Sequence, residues 1–425
     1  MLDIALFRDE PDTIKASERR RGKDPSRVDT VRELDQQWRE TRHQLDGLRH
    51  EKNTITDTIR AKKQAGEDAT EAIAQVAELN STIENLEEKE ATLRSERNDL
   101  RYEIGNLVHE SVPEGTDEND NIPVKHWEPK DGKKDEAVLG AEILERNNLI
   151  ESEKAVEVAG ERAYYLKGDI VRLAWALQQF AMDLLVERGY MPVQPPYYLN
   201  DTPMEAAAEL DDFREQLYKL ERNDRYLIAT AEQPLAALQY DEIIEADDLP
   251  LKYAGFSTNF RREAGKHGTQ TRGLWRVHQF EKIEQFIFAD PADSWEIHAE
   301  LLENAEDVMQ ALELPYRVVN VCTGDLGDTA AKKFDIEVWR PPLQEYGEVV
   351  SCSNCTSYQG RKLNARIRRP GEENETVHTL NATALVPQRI ITAIIENNQT
   401  IDGIILPVPL HEYFGKEVIE IQSSD

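Results

Sequence analysis

Three cysteines in 425 residues, Cys322, Cys352 and Cys355, are too few for a disulfide scaffold. No apolar run approaches the roughly 18–20 residues of a membrane-spanning helix. The opening Met1-Leu2-Asp3-Ile4-Ala5 lacks the basic-then-apolar order of a secretory signal. These absences predict a soluble, cytoplasmic protein with no membrane association. Positive charge is scarce as well, with 51 Lys and Arg against 82 Asp and Glu and a net charge of −31. That argues against a protein that grips nucleic acid through bulk positive charge. Only 20 of the cations are lysines; 31 are arginines. A carboxylate skin with little lysine keeps a protein hydrated in concentrated salt, so the expectation is salt adaptation. An ordinary acidic cytosolic protein is the plainer alternative, but −31 would repel itself strongly in dilute buffer.

The common nucleotide-binding loops are missing too. There is no G-x-x-x-x-G-K-[S/T] and no G-x-G-x-x-G between a strand and a helix. Gly265-Lys266-His267-Gly268-Thr269 has a superficial likeness to a phosphate loop but lacks the preceding glycine and following helix. Any ATP site must be built another way.

What is present divides into two kinds of sequence. Asp24-Pro25-Ser26 marks a helix start, and Val31, Leu34, Trp38, Thr41, Leu45, Leu48, Lys52, Ile55 and Ile59 follow in alternating steps of three and four. That is a coiled-coil seam. Ala65-Gly66-Glu67-Asp68 interrupts it, and a second seam runs from Ala69 through Val76, Ile83, Glu90, Leu93 and Arg97 to Leu107. Two such seams around a glycine turn predict an antiparallel helical hairpin roughly 55 Å long. Polar seam residues weaken packing and fix register. Basic clusters at 15–27 and at Arg49, Lys52, Arg60, Lys62 and Lys63 make the arm less acidic than the rest; a solvated helix face is the plain alternative.

Residues 113–135 are rich in Pro, Gly, Asp and Asn and read as a linker between domains at 1–112 and 136–425. Beyond it, a helix over 169–189 ends at Gly189. Strands are expected at 226–229, 255–261, 275–288, 316–321, 334–339 and 348–352, without regular crossover helices. An α+β domain on an antiparallel sheet follows.

The densest chemistry lies between Gly255 and Phe288. One β-prone run ends in Phe260-Arg261-Arg262-Glu263, and the next carries Arg276, Val277, His278, Phe280 and Glu284. Arginines at strand ends suit bidentate phosphate contacts, and an aromatic there can stack on a base. A charged surface hairpin would not ordinarily concentrate such groups at the ends of apolar strands.

This segment resembles motif 2 of the class II aminoacyl-tRNA synthetases, and in detail that of the seryl-tRNA synthetases. Glu187-Arg188-Gly189-Tyr190 with Pro196-Tyr197 is similar to motif 1, and Leu380 to Leu385 with Arg389 to motif 3. Thr230-Ala231-Glu232 resembles the serine-binding T-x-E, and Glu348-Val349-Val350-Ser351 the E-[I/V]-x-S segment. With the hairpin arm, the resemblance covers nearly the whole chain. It departs at Ala382 and at Val386-Pro387-Gln388, where glycines are frequent.

The resemblance implies a ligase that makes seryl-adenylate from L-serine and ATP, then charges the 3′ end of tRNA(Ser), with tRNA(Sec) a second candidate substrate. It implies a homodimer built through motif 1 and a tRNA-clasping arm. Arg261 would hold the α-phosphate and the serine carboxylate, with Arg262 beside it. Glu263 would meet the adenine amino group and Val277 the nucleotide through its backbone. Phe280 would stack on the base, with Arg389 on its other face or on the γ-phosphate. Glu348, Val349, Val350 and Ser351 would line the nucleotide side, with Glu348 and Ser351 as oxygen ligands for Mg²⁺. Arg261, Glu348 and Arg389 would be catalytic, and Thr230, Ala231, Glu232, Glu284, Asn381 and Thr383 would select serine.

A single CxxC at Cys352 and Cys355 is a weak zinc signal, and packing is the plainer role. Two other readings stay open. One is an amino-acid:carrier-protein ligase on the same catalytic domain. The other is a non-enzymatic coiled-coil protein with a relic second domain.

Overall fold

The computed structural model describes residues 1–208, 216–263 and 273–421. The chain divides into two compact units, Met1–Leu107 and Val108–Asp425.

In the first unit, short helices α1 (Ile4–Asp9) and α2 (Pro11–Arg20) precede the long α3 (Arg27–Ala65) and α4 (Thr70–Tyr102). Gly66 closes α3 in the left-handed conformation, φ +73°, where a side chain would be strained. The predicted seam is buried at Val31, Thr41, Leu45, Ala72, Ile83 and Leu93. Two of its polar positions, Glu90 and Arg97, are paired. Trp38 donates to Glu90 at 2.5 Å, and Arg97 stacks over Trp38 and donates to Asp35 at 2.8 Å. Arg8 adds two bonds to the same buried carboxylate. Such contacts form in one register only.

The arm's expected basic clusters are partly spent internally. Arg49 is ion-paired across the hairpin with Glu87, Arg60 with Asp57, and Lys15 with Asp29. The second helix stops at Tyr102, before Ile104 and Leu107, because the chain there turns to bond back to α2. Arg21 donates to the Asn106 carbonyl at 3.0 Å.

The second unit is α+β. Its main sheet contains β1 (Ile122–Trp127), β2 (Met191–Val193), β3 (Leu251–Phe260), β4 (Gln279–Ala289), β5 (Tyr316–Asn320), β6 (Lys332–Arg340), β7 (Glu345–Asn354) and β8 (His378–Leu385). The order is β1-β5-β6-β7-β8-β4-β3-β2, antiparallel except for the β2–β3 edge. One face is covered by α5 (Asp169–Glu187), α6 (Ser294–Ala311) and α7 (Pro387–Asn398), whose apolar stripes make the main core.

Within residues 113–135, expected as a linker, Ile122–Trp127 pairs antiparallel with β5. Every residue of that strand but the last is exposed, so its composition reads as a loop and only a non-local partner makes it a strand. The helix expected over 169–189 spans Asp169–Glu187, ahead of Gly189 at φ +83°. The strand expected from Trp275 begins at Gln279.

Candidate active site

The pairing of β3 with β4 sets the site. Along β4 the odd residues Ile283, Ile287 and Ala289 face the main core, and the even residues face the other way. Phe286 and Phe288 close a second apolar cluster there with Leu235 and Ala236. Nearer the strand's start the even positions change to Phe280, Lys282 and Glu284. These line a cavity of about 320 Å³. Gly255 stands opposite Glu284 because a Cβ there would come within 2.6 Å of Leu235.

Two bulges shape the remaining wall. Opposite β6, Ile336 pairs with Val350 but Glu337 pairs with Glu348, so Val349 is the extra residue. Simple alternation would send Glu348 and Ser351 to opposite faces; the bulge turns both toward the cavity. Opposite β4, Ile283 pairs with Leu385 and Glu284 with Thr383, which makes Ala384 the extra residue and sets Thr383 against Glu284.

Arg261 follows β3, and its N–H bonds to the His278 carbonyl. Its side chain donates to the Ala229 carbonyl at 3.0 Å, and its guanidinium lies 5.2 Å from the Phe280 ring centroid. Burial and nearby Arg389 lower its pKa, against Glu263, Glu348 and Glu284. Glu263 has φ +48°, strained for a side chain. Arg162 donates to its carbonyl at 3.2 Å and lies 3.9 Å from its carboxylate, and Arg276 approaches that carboxylate at 3.5 Å.

Glu232 begins a short helix behind Thr230, whose hydroxyl accepts the Glu232 N–H at 3.2 Å. Gln359 donates to the Glu232 carboxylate at 2.9 Å and to the Ala207 carbonyl at 3.0 Å. Burial pushes Glu284 up, while Lys282 and Arg261 draw it down. Asn381 reaches the Cys355 sulfur at 3.8 Å. Cys352 is packed behind the wall, and burial pushes its thiol well up, which makes it inert.

Arg389, in the first turn of α7 behind Pro387, donates to the Glu348 carbonyl at 2.7 Å and lies over Trp275 at 5.7 Å. The cation facing Phe280 is therefore Arg261. Burial would raise Glu348, but Arg389, Lys333 and Arg261 hold it below the ordinary carboxylate value.

Of the expected residues, the cavity collects Thr230, Glu232, Arg261, Glu263, Val277, Phe280, Glu284, Glu348, Val349, Ser351, Asn381, Thr383 and Arg389. It does not collect three. Ala231 is packed in the second apolar cluster and Val350 in the main core, opposite Ile336. Arg262 is exposed at the end of β3, its N–H on the Gln216 carbonyl. The polar loop 264–272 lies outside the described residues. Lining residues to which the resemblance gives no role include Trp275, Lys282 and Lys333. Lys282 was within reach of sequence reasoning, since it shares the parity of Phe280 and Glu284.

Such a wall can bind a phosphate chain at its arginines, a base at Phe280 and an ammonium at its carboxylates. No helix among the described residues is long and apolar enough to cross a membrane.

Residues 1–108 match the family model of the seryl-tRNA synthetase N-terminal domain, and residues 218–398 that of the tRNA synthetase class II core domain (G, H, P, S and T). A serine–tRNA ligase of Methanoculleus marisnigri is 45% identical over 99% of this chain and 100% of its own. The crystal structure of seryl-tRNA synthetase from Pyrococcus horikoshii complexed with ATP superposes with a TM-score of 0.92 at 41% identity, covering 100% of both chains. That of the cytoplasmic serine–tRNA ligase from Naegleria fowleri in complex with AMP gives 0.88 at 38%, covering 100% of this chain and 99% of its own. Carrying both the arm domain and the catalytic core of these enzymes at full length, the chain belongs to the seryl-tRNA synthetases, class II ligases that activate serine with ATP and attach it to tRNA.

Proposed function

We propose that L-serine, ATP and the terminal adenosine of tRNA(Ser) meet in the cavity around Arg261. One observation carries the assignment of roles: phosphate- and base-binding groups (Arg261, Arg389, Phe280, Glu263) share one wall with groups fit for a small hydroxylated amino acid (Glu232, Glu284, Thr383, Asn381). The serine carboxylate attacks the α-phosphorus, the α–β bridge breaks, and pyrophosphate leaves. Arg261 opposes the charge that builds there. Glu263 accepts from the adenine amino group, Phe280 stacks on the ring, the Val277 backbone borders it, and Arg389 takes the outer phosphates. Thr230, Glu232 and Glu284 hold the ammonium and hydroxyl. No general base is needed, because the carboxylate is already a nucleophile. A tRNA hydroxyl then attacks the seryl carbonyl, and AMP leaves.

Glu348 and Ser351 fit Mg²⁺. The first is held ionised by its cationic neighbours and the second is a hard hydroxyl, the sparse oxygen set that Mg²⁺ uses when phosphates and water complete its shell. When bound, the ion neutralises phosphate charge.

The test is serine-dependent ATP–pyrophosphate exchange with Arg261→Gln. A loss of about 100- to 1,000-fold is expected; exchange within a few-fold of wild type would sink the role assignment.

The N-terminal arm reads tRNA by shape, helped by its local basic residues. Replacing Arg49, Lys52, Arg60, Lys62 and Lys63 with alanine cuts aminoacylation and leaves exchange intact. Assays with tRNA(Ser) and tRNA(Sec) side by side decide whether the second is a substrate. The working form is a cytoplasmic homodimer. Trp175 and Met191, 64% and 61% exposed near the sheet edge, form apolar surface that a second copy would cover. Sedimentation equilibrium tests that. The acidic skin implies salt adaptation: the melting temperature should rise from dilute buffer to molar KCl, and a flat response would count against it.

A further inference from the structure

Lys282 is 6% exposed and Glu284 1%, and both line the cavity. They stand two residues apart on β4, so they share its cavity face. The Lys282 ammonium is ion-paired with the Glu284 carboxylate. A buried lysine is costly unless paired, and the roles assigned above give it nothing to do. It is too well buried for its ammonium to be a solvated surface charge.

The surroundings of Glu284 show why a partner is needed. Across β3 stands Gly255, with no side chain to offer. From β8 Thr383 stands opposite Glu284 in register and draws its pKa down, and from β7 the buried Cys352 thiol lies within its field. Arg261 is the other cation bearing on it from the end of β3. That guanidinium is assigned to phosphate and to the substrate carboxylate, so it cannot serve Glu284 alone.

We propose that Lys282 is a positioning residue for amino-acid selection: its ammonium anchors the Glu284 carboxylate at the cavity wall in the orientation and charge state that an incoming α-ammonium requires. This rests on the reading of Glu284 as an amino-acid-binding carboxylate. Burial raises the pKa of Glu284, and Lys282 is the foremost group drawing it back. Without Lys282 burial acts on the carboxyl with less opposition, and its pKa moves further up.

The test uses the full-length enzyme with Lys282→Met, Lys282→Arg, Glu284→Gln and the double variant Lys282→Met/Glu284→Gln. Serine-dependent exchange is measured from pH 6 to 9, with ATP binding followed by calorimetry on the same preparations. Lys282→Met should raise the KM for serine about 10- to 100-fold at pH 7 and leave ATP binding within a few-fold. Its acid limb in kcat/KM for serine should move up by about a pH unit or more, so activity recovers toward pH 9. Lys282→Arg should restore much of both. In the double variant, Lys282→Met should cost nothing beyond Glu284→Gln, because the lysine acts through the glutamate.

An unmoved acid limb, additive losses in the double variant, or a defect in ATP binding with serine KM intact would each overturn the proposal. If Lys282→Met loses all binding through misfolding, the Lys282→Arg profile decides: a wild-type acid limb supports the anchor, and wild-type stability with lost serine affinity refutes it. Should Glu284→Gln itself leave serine KM unchanged, the underlying reading of Glu284 fails first, and separately.

Discussion

The wall behind the cavity depends on one buried ion pair. Arg340 on β6 donates to Glu396 on α7 through two bonds, 2.9 and 2.8 Å, and the two side chains are 5% and 0% exposed. The guanidinium also lies 4.1 Å from the Trp275 ring centroid, and Trp275 faces Arg389. In Arg340→Met the Glu396 carboxylate keeps the Gly140 N–H at 3.2 Å and loses its counter-ion. Stranding a buried charge costs about 3–5 kcal/mol. For a unit of roughly 320 residues the unfolding entropy near the midpoint is about 0.7 kcal/mol/K, so the melting temperature should fall by about 4–7 °C. Replacing both partners, Arg340→Met with Glu396→Leu, should recover most of that, since an apolar pair of similar volume needs no compensation. Thermal scans of the two variants, with KM for ATP on each, make the test. A single variant costing under about 1 kcal/mol, or a double variant no better than the single, would refute the reasoning.

Gly347 carries a related prediction: a Cβ there would come within 2.4 Å of Trp275, which Arg340 backs from behind, so Gly347→Ala should raise the KM for ATP and leave that for serine nearly unchanged. Gln359→Leu removes the donor to Glu232 and should raise the KM for serine about 10-fold or more, measured by exchange. In the arm, burial opposes the Asp35 charge, but Arg8 and Arg97 prevail and its pKa is lowered. Its contribution is therefore present above the unfolded value near 4 and lost as pH falls through the lower folded value. Hydrogen exchange of α3 and α4 should show Asp35→Asn less protected than wild type at pH 7, with the gap shrinking at acid pH; a pH-independent gap would contradict the pairing.

The arm was readable because its information is local. Steps of three and four between Val31 and Leu93 report the buried stripe directly, and the glycine at 66 reports the turn. Ile122–Trp127 was not, because five exposed residues gain their strand pairing from a segment nearly two hundred positions away. The site divides the same way. Residues such as Arg261, Phe280 and Glu284 stand out by type and alternation. Ala231 and Val350 came along as neighbours in a motif, but the helix cap at Ala231 and the pleat at Val350 turn them into apolar packing. Glu348 and Ser351 share a wall through a bulge that no spacing announces. Gln359 reaches Glu232 from 127 residues away, and nothing near it in sequence points there.

An acidic enzyme that binds polyanions has to separate its global charge from its local charge. Here the surface carries the excess of carboxylates, while the cavity wall is built of Arg261, Arg276, Lys282, Lys333 and Arg389 among four glutamates. Those glutamates are engaged: Glu263 by Arg162 and Arg276, Glu284 by Lys282, Glu348 by Arg389, and Glu232 by Gln359. Arg261 bonds a neutral carbonyl and faces an aromatic ring, while Arg276, Lys282, Lys333 and Arg389 each approach a carboxylate. At physiological ionic strength the Debye length is about 8 Å, and buried pairs are screened less than exposed ones. Added salt therefore quiets repulsion among the surface carboxylates and leaves the attraction inside the cavity largely intact. Stability and nucleotide affinity should respond differently to KCl, the first rising while the second changes little, because they draw on charges in different dielectric surroundings.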